Sequence, residues 1–290
     1  MGNVYANLGT IKSEGTLGIT GTNHDSQLLR IAEDASRMID RYTDRFFYIY
    51  EGVFYQDGGS TRVVLDWDVQ SISELKVDTG GDSTYPDTYT VDMNSPTTSP
   101  DAFAYPFNIL PKTHLEANPF GNYGHLGATF RKALKITGTF GFGNDWPAPN
   151  YHGATSVLGA DLTSTANTVS VTASTASEFS AGTTLRISSE QLYMNGSPTG
   201  SSCPVLRAQN GTTAGTPSTG TAISIYDYPQ AITQAAVIQT VRTWKRRESG
   251  YVNTIINTDM GNVQVFKGLD ADLREVIDQY RRMRNMRYIN

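Results

Sequence analysis

Residues 25–45, with the sequence DSQLLRIAEDASRMIDRYTDR, decide the fold that we expect for this chain. Their apolar side chains recur at spacings of three and four residues, at Leu28, Ile31, Ala32, Ala35, Met38, Ile39 and Tyr42. This spacing predicts a helix with one apolar stripe. Residues 229–247 and 270–284 carry similar stripes near the other end of the chain. Because an amphipathic helix cannot bury its stripe alone, we expect these distant segments to pack together.

The middle of the chain has the composition of sheets and their turns. Residues 46–55 and 62–69 flank Asp57-Gly58-Gly59, which predicts a β-hairpin. Further strands are predicted at residues 72–78, 87–92, 107–112 and 131–140. Short runs rich in Thr and Ser between residues 154 and 226 are typical of a small barrel or sandwich. Residues 1–22, rich in Gly, Thr and Asn, are expected to form an extended arm rather than a packed element.

The fold class that follows is α+β, with a helical core assembled from the N- and C-terminal segments, a β-rich region and an inserted small β-barrel or sandwich module. We place the discontinuous helical core at residues 1–45 and 228–290. The β-rich region spans residues 46–150, and the inserted β domain spans residues 151–227. Gly and Pro residues between positions 141 and 149 mark the boundary between the two β segments.

Composition excludes several classes of protein. At 38% hydrophobic and 18% charged residues, most of the 290-residue chain is expected to fold. A net charge of -5 argues against a protein that grips nucleic acid through its overall field. Cys203 is the single cysteine, so no disulfide can form within the chain, and synthesis in a reducing cytoplasm is expected. No apolar run reaches membrane-spanning length.

The residue patterns that carry catalysis or metal binding are missing from the sequence. The four histidines, at positions 24, 114, 125 and 152, share no ligand spacing and have no thiolate partner nearby, so a zinc site is unsupported. Asp66, Asp68 and Asp78 are interpreted as ordinary carboxylates near strands. The glycines of residues 138–143 are not followed by the Lys-Ser or Lys-Thr of a phosphate loop. We therefore predict no enzyme and no cofactor.

The C-terminal run is the clearest candidate for partner binding. It extends beyond the last apolar repeat and contains Arg281, Arg282, Met283, Arg284, Met286, Arg287 and Tyr288. Arg and aromatic side chains are enriched in protein interfaces, which favours a docking tail. A plain helix end and a contact with nucleic acid are the alternatives.

A second set of residues is predicted to pack helices both within and between subunits. The Ala-rich apolar faces of the last two helices permit close approach of a neighbour. The set comprises Ile232, Ala235, Ala236, Trp244, Leu273, Ile277 and Tyr280.

Residues 27–47, together with the hairpin at Asp57-Gly58-Gly59, resemble the start of tailed-phage head-tail connector (adaptor) proteins. Those proteins open with a helix that ends in a Tyr-x-x-Arg-x-Phe-like step into sheet, matched here by Tyr42, Arg45 and Phe47. Residues 71–77 resemble a strand that recurs in the same family. Residues 184–193 and 207–214 resemble a small β module common in phage structural proteins, with Ala208 in place of the usual Gly.

The resemblance implies a ring, commonly of twelve subunits, that lies beneath the portal and links the DNA-filled capsid to the tail. It implies that the C-terminal run grips the portal protein. The other implied partners are a tail completion or stopper protein, further copies of the chain, and double-stranded DNA that passes without specific binding; no membrane is involved. The implied location is the head-tail junction of the virion, after assembly in the host cytoplasm.

Two other classes of function remain open. The Thr, Ser and Tyr content favours a carbohydrate-binding or adhesin-like β protein of the tail or capsid surface as the alternative. A glycan hydrolase ranks third, because no acid–base pair is evident in the sequence.

Overall fold

The computed structural model describes residues 2–14, 19, 21–94, 99–127, 131–145, 147–172, 178–248, 254–257, 261–264 and 271–282. Within this described part, the four helices are α1 (Leu8–Glu14), α2 (Asp25–Thr43), α3 (Gln230–Glu248) and α4 (Ala271–Asp278). The chain forms two compact units. We name them the seven-stranded unit, residues 46–150 and 210–212, and the six-stranded unit, residues 1–45, 151–209 and 213–290.

The seven-stranded unit is a single antiparallel-rich sheet. Its strands are β1 (Tyr50–Gln56), β2 (Arg62–Val77), β3 (Asp87–Tyr89), β4 (Val91–Asp92), β5 (Ala102–Tyr105), β6 (Lys112–Ala117) and β7 (Leu134–Phe140). The order is β1-β7-β2-β6-β5-β4, and β3 pairs with β2. Alternate residues of β7, such as Ile136 and Phe140, are buried, as expected when one face of a strand covers a core.

The predicted hairpin between residues 46–55 and 62–69 is wrong in its pairing. Both β1 and β2 pair with β7, on opposite edges of that strand, and the loop with Asp57 joins them without a β1–β2 ladder. The expected break between residues 69 and 72 is also absent, because β2 continues as one bent strand with register shifts near Val69. A turn motif shows where a chain reverses but not which strand then pairs with it.

A second local prediction is wrong at residues 107–112. Residues 107–111 form the loop between β5 and β6, and Lys112 is the first residue of β6. Pro106 and Pro111 bracket the loop, and a proline cannot donate a backbone hydrogen bond to a ladder. The strand lies just before the loop, at β5.

The six-stranded unit contains a strongly curved sheet. Its strands are β8 (Tyr151–Val157), β9 (Thr168–Ser170), β10 (Thr184–Ile187), β11 (Glu190–Met194), β12 (Ser202–Leu206) and β13 (Ala222–Tyr226), in the order β8-β13-β10-β11-β12-β9. The two ends of this order meet at a bridge between Leu158 and Val171, supported by the bond from Gly159 N to Ser170 O at 2.8 Å. Strand β11 is buried along its whole length.

The helices of this unit pack against one another. Helix α2 packs against α3, and α3 packs against α4. Helix α2 ends where Asp44 adopts a left-handed conformation (φ 56°) and donates its N–H to Asp40 O. Helix α3 begins directly after Pro229, whose missing N–H costs nothing at a helix start. A two-stranded hairpin, β14 (Thr254–Asn257) and β15 (Gly261–Gln264), lies between α3 and α4 in the sequence.

The expected α+β class with a helical core is contradicted. The described part of the chain is mostly β, with 21% of its residues in helices, and the seven- and six-stranded sheets each have their own cluster of buried side chains. Helices α2 and α3 form where their periodicity predicts them and pack against each other, but they are the minor part of a mostly β structure. Periodicity identifies a helix and its apolar face, and gives no information on which partner covers that face.

Residues at the N-terminus are also not an extended arm. Val4, Tyr5, Ala6, Leu8 and Ile11 are buried, and α1 forms within this segment. Gly2 lies on the ring of Tyr193 in β11, so closely that a Cβ atom at residue 2 would be 2.3 Å from the ring. The segment therefore completes the outer layer of the six-stranded unit.

Candidate assembly surfaces

The two ends of the chain meet at the end of α2. The N–H of Arg282 donates to Thr43 O at 2.8 Å, and the hydroxyl of Tyr42 donates to Asp278 Oδ1 at 2.7 Å. The guanidinium of Arg281 lies 5.8 Å from the centre of the Tyr42 ring. The hydrogen bond to Asp278 raises the pKa of Tyr42. We call these five residues the terminal seam.

The seam locates the start of the predicted docking tail. Arg281 is exposed and Arg282 is half-buried at the seam. Met283, Arg284, Met286, Arg287 and Tyr288 lie outside the described residues. The described start of the predicted docking run therefore lies at the end of α2.

The residues predicted to pack helices within and between subunits are all buried within a single chain. Ile232, Ala235, Ala236, Trp244, Leu273, Ile277 and Tyr280 are each at most 8% exposed. They lie on α3, on α4 or just after it, where α3 packs against α2 and α4. Packing between subunits through these residues stays a prediction.

A polar cluster fixes the N-terminal segment to α2. The backbone N–H of Tyr5 donates to Ser36 Oγ at 3.0 Å, and its hydroxyl donates to Asp40 Oδ1. Arg37 lies 3.1 Å from Asp40, donates to Asn3 O at 3.0 Å, and places its guanidinium 5.6 Å from the Tyr5 ring centre. Burial raises the pKa of Asp40 to about 6, against the opposing effects of Arg37 and Tyr5. No local sequence pattern predicts this cluster, because the residues that it joins are more than thirty positions apart.

A buried ion pair organises the β module at the positions of its sequence motif. Glu190 is 1% exposed and accepts from Arg207 Nε at 2.7 Å and Nη2 at 2.6 Å. Its carboxylate also accepts the N–H groups of Ala208 at 2.9 Å and Gly215 at 3.0 Å. Burial raises the pKa of Glu190, but the hydrogen bonds from Arg207, Ala208 and Gly215 outweigh it and lower the pKa below its ordinary value. Glu190 and Arg207 of the motif therefore stabilise the fold of the β module, and we assign them a structural role rather than a binding role.

Residues 210–212, in the loop that follows Arg207, belong to the seven-stranded unit and contact its strand β1. Glu51 N donates to Asn210 O at 2.8 Å. Gly211 has φ +83°, and a Cβ atom there would lie 1.8 Å from Glu51 O. Only glycine fits so close to the strand, which accounts for the Asn-Gly-Thr part of the motif. Ala208, where the module usually has Gly, also has positive φ, at 51°.

One exposed apolar surface crosses three strands of the seven-stranded unit. Val64 pairs with His114, and His114 pairs with Tyr105, so their side chains share one face of the sheet. The rings of Tyr105 and His114 stack at 5.2 Å. Phe107 and Ile109, 41% and 50% exposed, extend this row into the β5–β6 loop. We call Phe107 and Ile109 the knob.

A buried lysine, Lys112, forms hydrogen bonds that fix the shape of the loop carrying the knob. Lys112 is fully buried, and its Nζ donates to Asn94 Oδ1 at 2.5 Å and to Pro106 O at 2.7 Å. Asn94 Oδ1 also accepts from Asn108 N at 2.9 Å, within the loop itself. Burial lowers the pKa of Lys112. These bonds give the loop a defined shape before any partner binds.

A second exposed apolar surface lies around Trp67. The Trp67 ring stacks on Phe54 at 5.3 Å and contacts Phe46 at 5.6 Å. It borders a shallow cleft of about 190 Å³ of open space, whose lining also includes Tyr55 and Phe140. Small-molecule sites typically offer about 300–1,000 Å³, so this cleft is too small to enclose a substrate.

Several residues considered as catalytic or metal-binding candidates either form hydrogen bonds that shape the fold or lie exposed. Asp78 accepts the N–H groups of Gly80, Gly81 and Ser83, which shapes the turn after β2. His152 bonds to Asp227, and His125 is exposed. Among the described residues, no three His, Cys, Asp or Glu side chains are placed to hold a metal ion. No described helix is long and apolar enough to cross a membrane.

Comparison with known proteins adds no identification: no family model, no curated protein and no solved structure matches this chain.

Proposed function

We propose that this chain is a structural head-tail connector of a tailed bacteriophage, which forms a ring beneath the portal and acts without catalysis. The observation that carries the proposal is the terminal seam. The helix that resembles the start of the connector family ends at Thr43, and Arg282, near the start of the predicted docking tail, donates its N–H to the carbonyl oxygen of that residue at 2.8 Å. The family resemblance and the predicted docking segment thus converge on one place in the fold.

The electrostatics agree with a channel-lining role. With a net charge of -5, the chain is not expected to bind passing DNA through its overall field, because binding of phosphate groups requires clustered cations. A ring repeats one heterologous interface until it closes, so function rests on the geometry of that interface. An assembly protein needs surfaces that have a defined shape before a partner binds, and the loop that carries the knob is such a surface.

The proposal is tested by measuring the molar mass of the particles that the chain forms in solution, alone and with the portal protein of the same phage. Size-exclusion chromatography with light scattering is expected to show a chain of 31.7 kDa assembling into a ring when the portal is present. Removal of residues 283–290 is expected to abolish portal binding without unfolding the chain. A chain that stays monomeric and passes the portal without binding would contradict the proposal.

Exposed aromatic rings favour one alternative, a carbohydrate-binding β protein. Tyr55 and Trp67 are 48% and 43% exposed, and aromatic faces of this kind can stack on sugar rings. Glycan-array binding that is lost in Tyr55→Ala, in a chain that ignores the portal, would favour this alternative over the connector.

A further inference from the structure

The chain contains two Asn-Gly pairs, Asn195-Gly196 and Asn210-Gly211, which lie in different structural settings. Asn195 comes directly after β11, and both residues of its pair lie in the turn that leads to β12. Asn195 is exposed, and residues 195–198 belong to no helix or strand. Asn210 and Gly211 contact β1 of the seven-stranded unit instead. The same dipeptide therefore occurs once in an open turn and once against a strand.

We propose that Asn195 is a site of spontaneous deamidation and that the fold protects Asn210 from the same reaction. The backbone nitrogen of Gly196, after losing its proton, attacks the side-chain carbonyl carbon of Asn195, Cγ, and closes a succinimide ring as ammonia leaves. Water then adds to either carbonyl carbon of the ring and opens it. The product is Asp, or isoaspartate, in which the backbone continues through the side-chain carboxyl group. The net change consumes a water molecule and releases an ammonia molecule, without any oxidant or reductant.

The turn that carries Asn195 permits this ring closure. The backbone must rotate until the nitrogen of the next residue reaches Cγ, and glycine hinders this rotation least because it has no Cβ atom. Residues of an exposed turn rotate at a low cost in free energy, because few hydrogen bonds must break first. The exposure of Asn195 also admits the water that opens the ring.

The contacts of Asn210 oppose the same rotation. Asn210 has φ 53° and Gly211 has φ 83°, so both residues are held in the left-handed region. The carbonyl oxygen of Asn210 accepts from Glu51 N at 2.8 Å. Gly211 lies so close to the strand that a Cβ atom there would be 1.8 Å from Glu51 O. Rotation of Asn210 breaks its bond to Glu51, so ring closure at this pair requires the loop to leave β1 first.

Deamidation of Asn195 changes a turn that contacts the start of α2. Ser197, two residues after Asn195, donates its hydroxyl to Asp25 Oδ2 at 3.0 Å, and Asp25 also forms an ion pair with Lys12. The modified residue brings a new carboxylate into this turn, and isoaspartate adds an extra atom to the backbone before Ser197. The bond between Ser197 and Asp25 is therefore expected to weaken as the chain ages.

Ageing of the full chain in mildly alkaline buffer, followed by peptide mass spectrometry, tests the proposal. The native peptide with Asn195 is expected to convert to Asp and isoaspartate at least about tenfold faster than the peptide with Asn210. A tenfold ratio corresponds to about 1.4 kcal/mol, which is within the range that one hydrogen bond contributes. In guanidinium chloride, where the chain is unfolded, the two peptides are expected to react at similar rates because both contain the same Asn-Gly pair.

Asn195→Gln is the matched control, because its longer side chain closes a ring less readily and residue 195 is exposed, so folding is expected to survive. Hydrogen exchange in residues 195–201 is expected to speed up on ageing in the wild type and to stay constant in this variant. Equal rates for the two native peptides, or an Asn195 that reacts only in the unfolded chain, would overturn the proposal. Exchange that stays constant in the modified wild type would overturn the expected effect on the contact with α2.

Discussion

Replacing Arg207 by Ala is expected to destabilise the six-stranded unit strongly, because it leaves a buried carboxylate without its cation. Glu190 is 1% exposed and loses two charge-assisted hydrogen bonds, at 2.7 and 2.6 Å, while the N–H groups of Ala208 and Gly215 remain. Breaking a buried pair by removing one partner typically costs about 3–5 kcal/mol. The guanidinium also donates to carbonyl oxygens of Thr163 and Gly215, so we expect the upper part of that range.

The sign of the pH dependence follows from the same carboxylate. In the wild type, the pKa of Glu190 is lowered, so the pair contributes stability above the ordinary value of 4.5 and loses it as the pH falls through the lowered pKa. In Arg207→Ala, burial dominates and the carboxyl protonates readily in acid, which relieves the cost. The difference between the two proteins is therefore expected to shrink by at least about 1 kcal/mol between pH 7 and pH 4.

Hydrogen exchange measured by mass spectrometry on the peptide spanning β10 and β11 reports this local stability directly. Two matched variants define the baseline. Arg62→Ala removes the exposed pair with Glu116 and should cost less than about 1 kcal/mol. Glu190→Leu with Arg207→Met replaces the buried pair by apolar groups and should cost less than Arg207→Ala alone. A loss below about 1 kcal/mol for Arg207→Ala, or a difference that grows in acid, would refute the assigned role of the pair.

Three further predictions concern the other contacts. In urea unfolding, Gly211→Ala is expected to lower the stability of the seven-stranded unit by at least about 2 kcal/mol more than Gly220→Ala lowers that of the six-stranded unit. Both glycines have φ +83°, but only at residue 211 would a Cβ atom lie 1.8 Å from a carbonyl oxygen, so equal losses would contradict the close approach. The pKa of Asp40 is raised to about 6 from 3.8, so its contribution to stability is fully present below 3.8 and is lost as the pH rises through 6. Stability of the wild type relative to Asp40→Asn should therefore fall by about 2–3 kcal/mol from pH 4 to pH 7 in urea titrations, and a rise over that interval would contradict it. Tyr5→Phe should lose about 1 kcal/mol and speed hydrogen exchange in residues 2–11, while an unchanged exchange rate there would count against the N-terminal cluster.

The sequence predicts three of the four described helices. The expected helix at residues 25–45 is confirmed as α2 (Asp25–Thr43), and the one at 229–247 is confirmed as α3 (Gln230–Glu248). Helix α3 begins directly after Pro229, whereas α2 begins after His24 without a side-chain cap, so its apolar periodicity is the signal that predicts it. The helix predicted at 270–284 is shorter in the described residues and ends at Asp278, and α1 lies in a segment that was expected to be extended.

Local sequence patterns do not predict which strands pair, or whether sheets or helices make up most of the fold. Strand β1 pairs with β7, which follows it by some eighty residues, and no feature of either strand specifies that partner. The N-terminal segment looks polar and flexible by composition, yet small residues such as Gly2 let it lie directly on Tyr193. Long-range complementarity of this kind is invisible to periodicity, which is why a β-dominated fold was expected to have a helical core.

The candidate surfaces show the same division. Arg281 and Arg282 were predicted from the sequence as part of a docking run, and the structure places them at the seam. The knob was predicted as a strand, because Phe107 and Ile109 alternate with polar residues. Their exposure depends on the buried Lys112, a residue whose charge would ordinarily place it at the surface.

Single-particle electron microscopy of the chain mixed with its portal tests the central claim most directly. The account predicts a closed ring coaxial with the portal, commonly of twelve copies, in which the C-terminal run of each copy contacts the portal. Isolated copies scattered over the portal surface, or a chain absent from the complex altogether, would contradict it.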